Sequence, residues 1–516
     1  MTDHLPMLAI LVPMLGAALS LFVEHRRIGT VVQRSVAWAS MLGTVLVAAA
    51  LVARADGDGV LVYLLGDWPS RLGIVLVADR LSAMLVMTTA LLGSACLLHA
   101  CSGWDRRAPH FHALFQLQLV GLNGAFLTGD AFNLFVFFEV MLIASYGLLL
   151  SGGRGVRMSA GLHYVGFNIA ASTLFLIALG LVYGLLGTLN LAELAVRVAA
   201  VPARDLGLVK AALGLLLVVF CAKAALLPLY LWLPETYTRA PAAVAALFVI
   251  MTKVGVYAVL RVGSLLLGEP AGPLAGYGWD WMLPAAVAGL ALASLGVLAA
   301  SRLRMVVAYL VLVSATTLFI AFGLRQAGTL GAGLYYLVHS TFVAAALFLV
   351  ADLVRRGRGD ASNALRDIVP SPALRTRAGV MYLIAAVSIA GLPPLSGFVG
   401  KMALLQAVPD AQVWWVWAAI LGSSMMVIVG LTRTGTRLFW KDALPPLAPT
   451  PAPSGRAMTA RPTETAAAAL LLGYGVAMTL VAAPVLGYAN AAALQLLSPA
   501  AYVEQLRDTL PAMRKP

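Results

Sequence analysis

The stretch Phe220-Cys221-Ala222-Lys223-Ala224-Ala225-Leu226-Leu227-Pro228-Leu229-Tyr230-Leu231-Trp232-Leu233-Pro234 decides the fold. It is apolar enough for a membrane helix, yet it carries a lysine and two prolines. Proline removes a backbone donor and clashes with the preceding turn. A second stretch has the same character: Gly391-Leu392-Pro393-Pro394-Leu395-Ser396-Gly397-Phe398-Val399-Gly400-Lys401. Glycine beside proline lowers the cost of unwinding. In a bilayer, non-helical backbone survives only when it is buried in protein or lines a wet cavity. The bland alternative is that the prolines merely kink two ordinary helices. Two interruptions, each close to an intramembrane lysine, favour broken helices.

The rest of the chain is of the same kind. Of its 516 residues 61% are hydrophobic and 11% charged, and the mean hydropathy is +0.91. Soluble domains run near 25% charged, so a water-soluble globule and a disordered chain are both excluded. The net charge is +13, but the basic residues form no dense or aromatic-interleaved run, which argues against nucleic acid. The three cysteines (Cys96, Cys101, Cys221) lie in or beside apolar stretches and form no CxxC, so their spacing announces neither a disulfide framework nor a zinc site. The apolar stretch Leu5–Val23 is followed by Glu24-His25-Arg26-Arg27, which reads as a first span rather than a cleavable leader.

Fourteen spans are predicted, at residues 5–23, 33–52, 79–101, 111–128, 131–150, 161–185, 207–230, 241–262, 282–300, 304–324, 329–353, 378–407, 411–432 and 465–489. Amphipathic pieces are expected at Asn190–Ala200 and at about Ala491–Leu510. If the first span exits into the cytoplasm, the cytoplasmic loops carry 21 Lys and Arg and the opposite side 11. That bias favours an even number of spans with both termini periplasmic. The broken spans are five apart, the usual pointer to an inverted-repeat transporter. An odd number of spans per repeat makes the two repeats opposite in orientation. The expected fold is therefore all-α: a polytopic membrane protein of about 14 transmembrane helices with two inverted five-helix repeats. Residues 1–110 hold the first three spans, 111–262 the first repeat, 282–433 the second, and 465–516 the last span and tail.

Most charges sit near loops or span ends. Glu139, Lys223, Lys253 and Lys401 do not, and His339 is a fifth polar group inside a span. At the helical rise, Glu139 lies about 12 Å into its span and Lys253 about 18 Å past Pro241. Each intramembrane charge costs about 2.5–3.5 kcal/mol on insertion scales, so four cost roughly 10 kcal/mol. They need partners or a wet cavity. Snorkelling to the interface is the plain alternative for a lysine, and a neutral hydrogen-bonded core histidine is the plain alternative for His339. The chemistry favours proton transfer. An ammonium taken out of water gives up its proton more readily, and a nearby carboxylate holds it on. A Glu–Lys pair is thus a proton switch. All three midspan cations are lysines, and arginine could not release a proton. Histidine relays protons at neutral pH.

The residues from Phe220 to Pro234, continuing as Glu235-Thr236-Tyr237-Thr238-Arg239-Ala240-Pro241 and Thr252-Lys253-Val254-Gly255-Val256-Tyr257, resemble a known family. It is the antiporter-like subunit family, which unites Mrp-type multisubunit cation/proton antiporters with the proton-pumping membrane subunits of respiratory complex I. The resemblance covers spans 4–13, and the span count extends it to the whole chain. The wording is most similar to the D-type subunits of Mrp (also called Pha) antiporters. A complex I subunit with lysine at position 401 is the alternative.

The resemblance implies a proton relay through Glu139, Lys223, Lys253, His339 and Lys401, with Pro228, Pro393, Pro394 and Gly397 at the broken helices. It implies exchange of Na+ or K+ for protons in a bacterial inner membrane. It also implies partner subunits of the A, B, C, E, F and G types. No Walker loop, zincin motif or dinucleotide fingerprint appears, so no flavin, iron–sulfur centre, nucleotide or other cofactor is expected in this chain. No oxygen-rich cage for a cation is legible. An inert scaffold or a receptor-like protein is a different class of reading. It gives no reason to maintain four intramembrane charges.

Overall fold

The computed structural model describes residues 4–153, 155–358, 372–440, 461–509 and 511. Helices α1 (Leu5–His25) and α2 (Thr30–Asp58) come first. A two-stranded hairpin, β1 (Leu61–Leu64) and β2 (Val75–Ala78), precedes α3 (Arg80–Ala100). Then follow α4 (Phe111–Leu127), α5 (Ala131–Leu150), α6 (Val156–Leu186), α7 (Leu191–Ala199), α8 (Leu206–Lys223), α9 (Trp232–Arg239) and α10 (Ala242–Leu266). The next group is α11 (Trp279–Ala299), α12 (Leu303–Gly323), α13 (Ala327–Arg358), α14 (Pro372–Ala390), α15 (Ser396–Gln406) and α16 (Val413–Gly435). Helices α17 (Pro462–Leu480), α18 (Ala482–Leu497) and α19 (Ala500–Asp508) close the chain.

Every expected span has its helix. The seventh is the pair α8 and α9, separated by residues 224–231, and the twelfth is α14 and α15, separated by 391–395. Among the described residues, twelve helical segments are long and apolar enough to cross a bilayer by themselves. The expected piece at Asn190–Ala200 is α7, whose N-terminus is capped by the Asn190 side chain accepting from the amides of Ala192 and Glu193. Two expectations need correction. The last span ends at Leu480, nine residues early, because Pro484 has no amide to donate back to the Leu480 carbonyl and instead sits in the first turn of a new helix. The loop after α2 contains the hairpin, with Leu61 opposite Ala78 and Leu64 opposite Val75.

The connections sort onto two faces. On one, Glu24 meets His110, Arg34 meets Asp105, Arg157 donates to the Arg239 carbonyl, Arg304 donates to that of Ala240, and Arg356 pairs with Glu464. On the other, Leu76 bridges to Thr128 and Asp130 to Asn190, Arg261 pairs with Asp79, and Arg325 pairs with Glu269. His4 packs on Tyr63 and Arg507 on Glu193, which places both described ends on this second face. The alternation is that of fourteen crossings.

Helices α10 and α13 are buried along their whole apolar length. Helices α6 and α16 instead present Leu162, Ile169 and Leu176, and Trp414 and Met425, outward. Apolar side chains on an outer surface suit lipid, and an all-round apolar helix suits the centre. The two halves also match in detail. Three residues, 128–130, join α4 to α5, and three, 300–302, join α11 to α12. Each half then has a long helix, a broken one and a final unbroken one.

Candidate functional site

Lys223 is the last residue of α8 and is 5% exposed. The chain beyond it cannot continue as helix. Ala225 takes a positive φ of 56°, and Pro228 offers no amide. The Ala222 carbonyl accepts from the Ala225 amide at 3.2 Å and also from the indole of Trp232 at 3.1 Å. The negative end of α8 favours a cation at its last turn.

The Lys223 ammonium donates to Ser172 Oγ at 3.1 Å and to Asn168 Oδ1 at 3.4 Å, both on α6. The Ser172 hydroxyl in turn donates to Glu139 Oε1 on α5. The expected Glu–Lys pair therefore exists as a three-member chain with a hydroxyl in its middle. Phe138 lies under the ammonium, 6.0 Å from ring centroid to Nζ. Such a chain can pass a proton from nitrogen to carboxylate without either side chain crossing the gap.

Lys253 is fully buried in α10 and donates to Ser314 Oγ of α12. Helix α10 lies directly on the first break. A Cβ on Gly255 would stand 2.7 Å from Ala224 Cα and closer still to its amide nitrogen. Glycine is what permits that approach.

At the second break, His339 of α13 shares a hydrogen bond with Ser396 Oγ through Nδ1, at 2.8 Å, while its buried Nε2 has no hydrogen-bond partner among the described residues. Lys401 points back to α14. Its ammonium donates to the Ala390 carbonyl at 2.9 Å, to that of Ile389 at 3.5 Å, and to Ser424 Oγ of α16 at 2.8 Å. A helix end leaves carbonyls without partners, and here the lysine covers them.

Pro393 and Pro394 lie in the unwound segment as expected. Gly397 and Gly400 do not, for both are helical in α15. Gly397 serves close approach instead. A Cβ there would meet the Ser388 carbonyl and stand 2.8 Å from His339 Nε2.

The five predicted residues thus fall in three places: Glu139 with Lys223, Lys253 with Ser314, and, at α15, Lys401 within that helix and His339 bonded to its first residue, Ser396. Among the described residues, no hydrogen bond or ion pair joins one place to the next. Ser172, Asn168, Ser314, Ser396 and Ser424, which partner the ionisable groups, carry no signal of that role in the sequence. Several charges at span ends, which read as loop charges in sequence, are buried ion pairs. Arg261 clamps Asp79 with two bonds of 2.6 and 2.7 Å. Asp352 accepts from Arg304 at 3.1 Å and from Arg355 at 2.9 Å.

A multi-pass helical protein with two broken helices and buried lysines along its middle is an integral membrane subunit of the ion-translocating class. The family described as "NADH:quinone oxidoreductase/Mrp antiporter, TM" matches residues 128–427, and the chain belongs to it. It is 37% identical to the D-type subunit of a probable K(+)/H(+) antiporter of Rhizobium meliloti (strain 1021), over 98% of this chain and 97% of that one. It is 33% identical to the D-type subunit of a Na(+)/H(+) antiporter of Alkalihalophilus pseudofirmus, over 98% and 99%. A chain in the structure of the Mrp complex from Dietzia sp. DQ12-45-1b superposes with a TM-score of 0.87 at 27% identity, covering 98% of this chain and 99% of that one.

Proposed function

We propose that this chain is the D-type, proton-translocating subunit of a multisubunit antiporter that exchanges a monovalent cation, Na+ or K+, for protons. Residues 111–262 and 282–433 act as its two inverted repeats. The face carrying Arg34, Arg304 and Arg356 is cytoplasmic, in keeping with the loop charges. Partner subunits of the other Mrp types complete the transporter. The chain does no redox chemistry of its own.

The observation that carries this reading is the Lys223–Ser172–Glu139 chain. A proton leaves Nζ for the Ser172 oxygen as the Ser172 proton passes to the Glu139 carboxylate. The ammonium becomes an amine, the carboxylate becomes an acid, and the hydroxyl is restored. Lys253, near the end of the first repeat, and His339 and Lys401 of the second extend the route, each beside a serine hydroxyl. The hydroxyls orient the ammonium and imidazole groups where water is scarce.

The test uses the assembled complex in NADH-free proteoliposomes with a pH-sensitive dye. Adding Na+ or K+ should move protons, and an assembled Lys223→Ala complex should not. Wild-type exchange in that variant would overturn the relay. Proton movement that required NADH and quinone would favour the complex I alternative.

A further inference from the structure

Away from the lysine row, α3 ends on the face that carries Arg34 and Arg356. Its capping residue Cys101, the turn residue Asp105 and His112 in the first turn of α4 come together there. One ligand-capable atom from each lies within 4.8 Å of the other two, and among the described residues this is the one group of three or more such side chains so placed. His112 is buried and Cys101 and Asp105 are half-buried, with the Asp105 side chain itself 2% exposed. The three residues are four and seven apart in sequence, so no familiar motif announces them.

Thiolate, imidazole and carboxylate form the donor set that a zinc-class ion takes, at about 2.3 Å for sulfur and 2.0–2.2 Å for nitrogen or oxygen. In a tetrahedron, those lengths place ligand atoms roughly 3.3–3.7 Å apart. His112 Nε2 and Asp105 Oδ2 are already 3.3 Å apart, so the Cys101 sulfur, within 4.8 Å of its neighbours, has to close in by at most about 1 Å on that same scale. The other nitrogen of His112 is buried and has no hydrogen-bond partner among the described residues.

The surroundings are those of a built site. Arg34 holds both oxygens of Asp105, at 2.6 and 2.9 Å, and so fixes the carboxylate. Groups of this kind, behind a ligand, orient it. Cys101 caps the C-terminus of α3, the helix end that favours positive charge.

We propose that Cys101, Asp105 and His112 form a binding site for a divalent transition ion of the zinc class, with water as the fourth ligand. Binding converts the Cys101 thiol to a thiolate and releases its proton to solvent. The next residue, Ser102, donates to Glu464 of α17 at 2.6 Å. An ion here would therefore stiffen the junction of α3, α4 and α17.

The test is Co2+ titration of the chelator-stripped assembled complex. The expected result is one Co2+ per chain, with a thiolate-to-cobalt charge-transfer band that Zn2+ displaces. Cys101→Ser should remove the band. His112→Gln and Asp105→Asn should each weaken Co2+ binding about tenfold or more. Cys221→Ser should change nothing. If the Cys101 variant fails to assemble, zinc retained by the wild-type complex after dialysis, and released by EDTA, decides the matter. No charge-transfer band at millimolar Co2+, a band that survives Cys101→Ser, or no retained zinc would overturn the site.

Discussion

The ammonium of Lys401 lies 2.9 Å from the carbonyl oxygen of Ala390, the last residue of α14. One side chain thus covers a helix end and stands where a proton carrier is proposed. The two roles separate by substitution. Lys401→Ala leaves buried carbonyls without a donor, at about 1–3 kcal/mol. Lys401→Arg keeps a permanent donor and charge but cannot release a proton. We expect the Ala complex to melt earlier and the Arg complex to melt near wild type, with both inactive in cation-driven proton exchange. Full exchange by Lys401→Arg would leave only the capping role.

Ser172 is the second target. It links Lys223 to Glu139, and a hydrogen bond to a charged group is worth about 1.5–3 kcal/mol. In a rate that is roughly 10- to 100-fold. Ser172→Ala should slow exchange by that much without loss of assembly, and Ser172→Thr should recover part of it. Unchanged exchange rates in the Ala variant would mean that the hydroxyl is a bystander.

Gly255 tests the packing of α10 on the first break. An alanine there puts a methyl group into the backbone of Ala224, and overpacking of this kind costs about 1–3 kcal/mol. Gly180 of α6 has nothing within 4 Å of a Cβ. Thermal unfolding of the purified complexes should show Gly255→Ala destabilised and Gly180→Ala at or above wild type.

The Asp79–Arg261 pair is buried on both sides. Burial alone would push the Asp79 carboxyl up, but the charge and hydrogen bonds of Arg261, with help from Ser82, outweigh it and hold the carboxyl below its usual range. The stabilisation is therefore complete above the ordinary carboxylate value and fades as pH falls below it. Arg261→Met should cost about 3–5 kcal/mol, because it strands a buried carboxylate. The double variant with Asp79→Leu should recover much of that loss. Melting curves of the four complexes, at neutral and acid pH, give the coupling directly. Additive losses would show that the pair is not coupled.

The parts of this fold that were legible are those coded locally. A run of about 20 apolar residues is its own evidence for a span, and Pro228 and the Pro393-Pro394 pair break their helices whatever surrounds them. Lys253 stood out because nothing near it in sequence is charged. The partners were not legible. Ser172, Ser314 and Ser424 look like any serine in a membrane helix, where the hydroxyl commonly bonds its own backbone. Only the packing of α6 on α8, of α12 on α10 and of α16 on α15 gives them a cation. Arg261 and Asp79 are 182 residues apart, and a charge at a span end reads as a topology signal until its partner is known. The early end of the last span was written in Pro484, but a hydropathy window averages over one proline.

Glu464 is fully buried and holds Ser102 and Arg356, 362 and 108 residues earlier in the chain. Further on, Gln495 accepts from the Arg80 amide, and Tyr488 donates to the Arg80 carbonyl. Both ends of α3 are thus completed by residues 362 to 415 positions later in the chain. During synthesis, Ser102 and the Arg80 amide of α3 enter the membrane before these partners, while Arg356 of α13 already has Asp352 beside it. A ribosome that stops before Arg461 releases a chain with nearly every span in place and its latch undone. A quality-control protease that reads unmatched polar groups would thus tell a chain stopped before Arg461 from one that carries α17 and α18.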